Sequence, residues 1–337
     1  MKIAVDAMGG DFGPKVIVPG AAQAAADLNV KILLVGLESQ IRRELDGAKA
    51  GLKGIEIIDA PEAIGMGEGL LSFRKKKASS IRVGVRLVKS GDADAFVSMG
   101  NTGAVVFIAK AVLGAIRGVD RPGLALLVPS VKGLTLLIDV GANANCRPHN
   151  LVQFAVMGKI FMETALGVRD PRIGLMSIGE EKGKGNDLVK EAFERLQRAP
   201  LRFIGNIEGK DLFSGNAEVV VSDGFTGNIA LKVMEGVVES TISMARHEVT
   251  KNVLAKLGYL LLRRHLKKIY KRVDYSEYGG AHLLGINGVC VIGHGRSNIA
   301  AVRSAVRMGR EIVTSGIQDR IREEVLRAGP VLEGAAG

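Results

Sequence analysis

Two stretches of the chain share the pattern V-S-x-G-x-T-G, identical at five positions: Val97-Ser98-Met99-Gly100-Asn101-Thr102-Gly103 and Val221-Ser222-Asp223-Gly224-Phe225-Thr226-Gly227. Each follows a β-branched apolar run and precedes an apolar stretch, which reads as strand, glycine loop, helix. A loop of this kind turns unpaired backbone N–H groups and the positive end of a helix dipole outward. Its natural occupant is an anion. The same residue types also build ordinary strand-to-helix turns, with Gly supplying φ > 0 and Ser or Thr a cap. Two copies in one chain favour the anion-binding reading.

Other segments carry residues suited to an anionic substrate. Gly179-Glu180-Glu181-Lys182-Gly183-Lys184-Gly185-Asn186-Asp187 reads as a mobile charged loop that brings Lys184 onto an anion. Ile138-Asp139-Val140-Gly141-Ala142-Asn143-Ala144-Asn145-Cys146-Arg147 places a carboxylate, amides and a guanidinium after a strand, with a helix starting near Leu151. His294, between Gly293 and Gly295 at a strand end, is poorly placed for packing and reads as a site residue. Lys77, at the end of the run Arg74-Lys75-Lys76-Lys77, adds charge to the first glycine loop if a helix carries it there.

The elements that must position these residues are short aliphatic runs: Lys2 to Asp6, Lys31 to Val35, Ile55 to Ile58, Asp94 to Ser98, Leu124 to Val128, Leu134 to Val140, Ile173 to Ile178, Arg202 to Ile204, Glu218 to Ser222 and Val289 to Ile292. Most are separated by stretches of helical period. That alternation predicts a largely parallel sheet covered by helices on both faces. Ligands then bind beyond the carboxyl ends of the strands. The first strand leads into Asp6-Ala7-Met8-Gly9-Gly10-Asp11, which lacks the G-x-G-x-x-G spacing of a dinucleotide fingerprint.

A chain of 337 residues, 47% hydrophobic, can bury a full core in two domains or one large α/β unit. Its net charge of +11 favours acidic partners, while 4% aromatic content and no Trp leave little for stacking nucleic-acid bases. The two cysteines, Cys146 and Cys290, suit a reducing compartment. Asp6 interrupts what a signal peptide needs as its apolar centre, and no apolar run reaches the ~20 residues of a membrane span. Val249 to Val273 holds eight Lys or Arg, one His and no acid. Its apolar positions, Leu254, Leu257 and Leu261, then Tyr259, Leu262, Leu266, Ile269 and Val273, form two stripes pointing apart, so a bend or break is expected near Gly258. A basic amphipathic segment of this kind contacts a membrane surface or an acidic protein.

Taken in order, these segments resemble the bacterial phosphate acyltransferase family of PlsX type, the acyl-acyl-carrier-protein:phosphate acyltransferases of phospholipid synthesis. The likeness spans nearly the whole chain. It is carried by Asp6 to Asp11, Ser79-Ser80, Ser98 to Ala104, Asp139 to Asn143 with Leu151 to Gly158, Gly179 to Glu181, Lys184 to Asn186, Ser222 to Asn228, Tyr278 to Ala281 and His294-Gly295. The family usually has Asp at Asn145, Pro at His282, Asp at Ala78 and Ser at Arg296.

The resemblance implies a three-layer α/β/α fold in two subdomains, like that of phosphotransacetylases and of isocitrate and isopropylmalate dehydrogenases. Residues 1–138 plus 289–337 would form one subdomain, and 139–288, carrying the basic segment 249–273, the other. The implied reaction moves a fatty acyl group from acyl carrier protein to inorganic phosphate. Phosphate is itself the nucleophile, so no enzyme Ser or Cys need react, in keeping with the absent G-x-S-x-G elbow. No cofactor or metal is required.

On this reading Ser98, Gly100, Asn101, Thr102 and Gly103 bind phosphate, and Lys184 adds charge to it. Asn228, with Gly224, Thr226 and Gly227 of the second loop, faces the thioester carbonyl. Asp139, Asn143 and Asp223 orient loops and cations, and His294 is a candidate for proton transfer. The two loops are expected to converge on one site. The resemblance further implies a homodimer in the cytoplasm, peripherally bound to the inner face of the membrane, with Leu257, Leu261, Arg263, Arg264, Lys267 and Lys268 touching lipid or carrier. Competing readings are a phosphotransacetylase acting on coenzyme A thioesters, a decarboxylating dehydrogenase, and a non-catalytic membrane or nucleic-acid adaptor.

Overall fold

The computed structural model describes residues 1–47, 53–251, 253–273 and 279–327, with the side chains of 253–254 and 267–273 outside that description. Among the described residues eleven strands form one sheet. In spatial order they are β3 (Ile55–Asp59), β2 (Lys31–Gly36), β1 (Lys2–Asp6), β4 (Ala95–Ser98), β11 (Val289–Ile292), β10 (Ala281–Leu284), β5 (Gly123–Ser130), β6 (Gly133–Ile138), β9 (Val219–Val221), β7 (Ile173–Met176) and β8 (Phe203–Ile207). Seven of the neighbouring pairs are parallel and three antiparallel, so the sheet is largely parallel.

Helices cover both faces, giving three layers. On one face α1 (Pro14–Leu28), α2 (Glu38–Gly47), α6 (Pro148–Leu166), α7 (Asp187–Arg198), α10 (Ile299–Ser315) and α11 (Ile317–Arg327) bury Ile17, Ile41, Phe154, Phe161, Leu196, Val306 and Ile321. On the other, α3 (Leu70–Lys75), α4 (Ser80–Ser90), α5 (Thr102–Leu113) and the first turns of α8 (Gly224–Thr250) bury Phe73, Ile81, Val85, Ile108 and Met234. The strands between them are buried on both sides, which is why they read as continuous apolar runs rather than alternating ones.

The three antiparallel pairings decide the architecture of the edges. β5 and β6 form a tight hairpin through Val131 and Lys132, with Gly133 at φ 145. β10, unread in the sequence because it is four residues long and contains His282, lies between β5 and β11 and opposes both. Three reversals therefore separate β4 from β9. The set β3-β2-β1-β4-β11 runs one way and β6-β9-β7-β8 the other.

The expected break near Gly258 does not occur. α9 (Val253–Val273) continues through it, and α8 ends earlier, at Thr250. A helical Gly costs only about 1 kcal/mol relative to Ala, and its neighbours here are Leu, Ala and Lys, good helix formers. Of the expected contact residues, the Leu257, Leu261, Arg263 and Arg264 side chains are exposed. The side chains of Lys267 and Lys268 lie outside the described residues. No described helix is long and apolar enough to cross a membrane.

Candidate active site

The first glycine loop leaves β4 at Ser98, which is fully buried. Its hydroxyl donates to Asp6 Oδ2 at 2.7 Å and accepts from Gly100 N at 2.9 Å. Asp6 closes the neighbouring strand β1, where burial pushes its carboxyl above the usual range while hydrogen bonds from Ser98, Ser80 and Met8 oppose the rise. The loop after β1 interlocks with this turn: a Cβ on Gly9 would stand 2.7 Å from Gly100 N and 2.8 Å from Asp6 Oδ2.

Asn101 caps α5 through Oδ1, which accepts from Ala104 N at 3.0 Å. Its Nδ2 donates to Met66 O at 2.8 Å and Glu68 O at 3.1 Å, tying down the Gly65–Gly69 turn. The Asn101 side chain is thus committed to the protein itself. The first N–H groups of a helix have no intrahelical acceptor. Those of Thr102 and Gly103, which the cap does not take, therefore face outward as donors. Lys76, not Lys77, is the turned-in cation of the basic run: α3 ends at Lys75, and Lys76 Nζ bonds Glu68 at 2.6 Å and Ala63 O at 2.7 Å. That contact and the Gly65 N–H hold the Glu68 carboxyl down at about 2.

His294, after β11, joins this rim. Its backbone neighbour Gly295 accepts from Asp11 N at 2.8 Å, and His294 Nε2 lies 3.4 Å from Glu235 Oε2. Arg296 meets Glu239 at 3.3 Å. Both acids belong to α8, and nothing in the sequence marks them, since they are two charges among many on a long helix.

The second loop has a different internal chemistry. Asp139, buried at the end of β6, accepts from Leu124 N, Gly141 N and Ala142 N through Oδ1, and from Asn143 N and Nδ2 through Oδ2. Asp223 caps α8: Oδ1 accepts from Phe225 N and Thr226 N at 3.0 and 2.9 Å, and Oδ2 from Thr226 Oγ1 at 2.7 Å. Gly224 N donates to Asn143 O and Gly227 N to Asp223 O. All the first N–H groups of α8 are therefore bonded within the protein. A carboxylate already occupies the position an anion would take.

The neighbouring groups are open instead. The Asn228 side chain, on the first turn of α8 and partly exposed, lies against Gly141 and has no hydrogen-bond partner among the described residues. Lys184 is exposed on the loop after β7, which is paired to β9, and its ammonium likewise has no partner among the described residues. Asn206 Nδ2, bonding Glu181 O at 3.0 Å, anchors that loop to β8. Arg121, which no motif marks, bonds Asn145 O at 2.8 Å beside this edge. Neither thiol is a ready nucleophile: burial pushes Cys146 up to about 11 and Cys290 up to about 12.

The two loops leave different strands of the sheet, and the flank of α8 that carries Asn228 also reaches His294 through Glu235. Ser98 stands level with Ile292, Ala281, Leu126, Leu137 and Val220 across the sheet. Five strand spacings of ~4.8 Å put the loops roughly 24 Å apart. Because β4 and β9 run in opposite directions, the loops also leave opposite edges. Ser98, Gly100, Thr102, Gly103 and His294 share one rim; Asp139, Asn143, Asp223, Asn228 and Lys184 share the other.

The family described as "Fatty acid synthesis protein" matches residues 1–320. A phosphate acyltransferase of Thermodesulfovibrio yellowstonii is 46% identical over 325 residues, covering 96% of this chain and 94% of the relative. One from Heliobacterium modesticaldum is 47% identical over 327 residues, covering 96% and 98%. Among solved structures, a phosphotransacetylase from Streptococcus pyogenes superposes with a TM-score of 0.62 at 20% identity, over 93% of this chain and 94% of that one. A 4-hydroxythreonine-4-phosphate dehydrogenase from Klebsiella pneumoniae gives 0.53 at 15% identity, over 93% and 99%. These two likenesses speak to the fold alone.

Proposed function

The chain belongs to the fatty acid synthesis protein family, and from that premise we propose that it transfers a fatty acyl group from acyl carrier protein to inorganic phosphate, giving acyl phosphate for phospholipid synthesis. The observation that carries the assignment of roles is a pair of groups on one edge with no partner among the described residues, the Lys184 ammonium and the Asn228 amide. One suits a phosphate dianion and the other a carbonyl oxygen.

In the reaction a phosphate oxygen attacks the thioester carbon, the C–O bond forms, and the C–S bond breaks as the thiolate leaves. Thiols have pKa values near ~8.5, so the leaving group needs no strong acid. What the protein must supply is position for the phosphate and donors for the developing oxyanion. The open N–H groups of Thr102 and Gly103, backed by Ser98 and Gly100, bind phosphate. Asn228 donates to the carbonyl oxygen, and Lys184 neutralises phosphate. Asp139, Asn143 and Asp223 hold the Asn228 turn in place, while His294, paired with Glu235, serves proton transfer.

The division into 1–138 plus 289–337 and 139–288 stays part of this proposal, with β10 of the second part pairing in the sheet with β11 and β5 of the first. We assign the exposed, basic α9, with Leu257, Leu261, Arg263 and Arg264, to the membrane surface or the acidic carrier, and the working unit to a cytoplasmic homodimer at the membrane's inner face.

Acyl-carrier and acyl-CoA donors assayed side by side with phosphate, with acyl phosphate trapped by hydroxylamine, test the reading. Turnover of the carrier thioester well above that of the CoA thioester is expected. Equal or better use of acyl-CoA would assign the chain to phosphotransacetylase chemistry, and no acyl phosphate from either donor would overturn the reading.

A further inference from the structure

The run Arg74-Lys75-Lys76-Lys77 is only partly taken up by the site. Lys76 turns in to Glu68, while the Lys75 and Lys77 ammoniums are exposed and have no partner among the described residues. The Arg74 guanidinium, also exposed, stands 5.8 Å over the Phe107 ring, which holds it without neutralising it. From Gly69 to Gly91 the chain carries seven Lys or Arg and no acid. The acid just before this stretch, Glu68, is already held by Lys76.

Apolar side chains accompany these charges. Leu70 is 47% exposed, Leu71 73% and Met66 42%. At 100° per residue Leu70, Leu71, Arg74 and Lys75 fall within an arc of about 140° on α3. Phe73, outside that arc, is buried beside Phe107, with ring centroids 6.3 Å apart, and its carbonyl accepts from Arg82 at 2.7 Å. A helix this short is not stable alone, so these anchors are what fix its outer face. The same element borders the open start of α5. A Cβ at Gly103 would come 3.7 Å from Phe73 Cε2, Asn101 Nδ2 donates to Met66 O, and a Cβ at Gly295 would come 2.7 Å from Met66 Cε.

We propose that the acidic carrier docks on this face, with its carboxylates on Arg74, Lys75 and Lys77 and an apolar part of its surface on Leu70, Leu71 and Met66, so that its thioester is set down beside Thr102 and Gly103. The inference rests on the acyl-transfer reading above. Charge complementarity and place together select the occupant. A net charge of +11 draws any polyanion at long range, but a lipid surface brings no thioester to the phosphate donors that this face adjoins. Cations around a small apolar centre suit a partner that must leave after each turnover, since charge speeds the encounter and the small centre permits release. With the carrier on α3, the exposed Leu257, Leu260 and Leu261 of α9 are left for lipid.

The test is steady-state kinetics of the full chain carrying Arg74→Glu, Lys75→Glu and Lys77→Glu, with folding checked by melting temperature. With a palmitoyl thioester of acyl carrier protein as donor, KM is expected to rise about 10-fold or more at unchanged kcat. The wild-type KM should climb with added salt while that of the variant stays flat. With palmitoyl-pantetheine, which offers the thioester without the protein, wild type and variant should form acyl phosphate equally well. Leu71→Ser, which keeps every charge, should raise the carrier KM in the same sense and serves if the triple variant does not fold. A carrier KM within twofold of wild type in the folded variants overturns the inference and leaves the acyl-transfer reading standing. Equal losses with both donors also overturn it, because the face would then act on turnover rather than docking. A wild type that forms no acyl phosphate from the carrier thioester overturns the acyl-transfer reading, and the docking face with it. In co-sedimentation with phosphatidylglycerol vesicles the triple variant should bind as wild type does; lost vesicle binding with an unchanged carrier KM would make the face a lipid contact instead.

Discussion

The two V-S-x-G-x-T-G loops share five residues and the same strand-to-helix setting, yet they solve opposite problems. In the first, the helix starts at Thr102 and its cap is the neutral Asn101, which takes one N–H and leaves others outward. In the second, the helix starts two motif positions earlier, at Gly224, and its cap is the acid Asp223, which takes two N–H groups and a hydroxyl. One loop leaves helix-start donors outside its cap; the other closes its helix start with a carboxylate. A shared motif therefore fixes a turn, and the residue at the cap decides whether the turn is available to a ligand.

The sharpest way to break the comparison is at the last Gly of each motif. A Cβ at Gly227 would overlap the Asp139 carbonyl oxygen and stand 2.7 Å from Ser222 Oγ, whereas at Gly103 the nearest atom is 3.3 Å away. Gly227→Ala should cost about 4 kcal/mol or more and appear as a large drop in melting temperature. Gly103→Ala should change stability by less than about 1 kcal/mol.

Removing an open donor should cost activity rather than stability. Lys184→Ala and Asn228→Ala are each expected to lower kcat/KM for acyl phosphate formation by ~10²- to 10³-fold. Their melting curves should match wild type, because neither side chain bonds another described residue. Turnover within threefold of wild type in both would remove these residues from the mechanism.

The seam between the two halves has its own pH signature. His282 in β10 is fully buried, with Nδ1 3.1 Å from Cys290 O, and desolvation lowers its pKa from 6.5 to about 4. The folded protein keeps the ring neutral, while the unfolded chain takes up a proton below 6.5. Stability is thus full above that value and declines as pH falls toward 4, by about 3 kcal/mol in all. Urea titrations at pH 7 and 4.5 should show this decline in wild type and a shallower one in His282→Leu. Equal slopes would mean that the ring is protonated within the fold.

The smallest effect separates the caps. Asp223→Ala and Asn101→Ala should each cost about 1 kcal/mol of stability. Asp223→Ala should leave the KM for phosphate within threefold, while Asn101→Ala also releases the Met66 and Glu68 carbonyls and should raise it. A reversed order of KM changes would exchange the roles of the two loops.

Much of this molecule is legible in its residues. Ten of its strands stand out as aliphatic runs, because strands buried on both faces have no polar alternation to blur them. The order of strand, glycine loop and helix, the resemblance, and the chemical types needed to handle phosphate and a carbonyl are equally local. What the residues cannot carry is direction. Leu124 to Val128 and Leu134 to Val140 are too close for a helical crossover and so must form a hairpin, a signal present but unread, and β10 is masked by its length and its His. Those pairings reverse the sheet and send identical motifs to opposite edges. The motif is local and was decided by sequence. Its availability to ligand and its distance from its twin depend on contacts between residues up to two hundred positions apart, and those were decided by the tertiary structure.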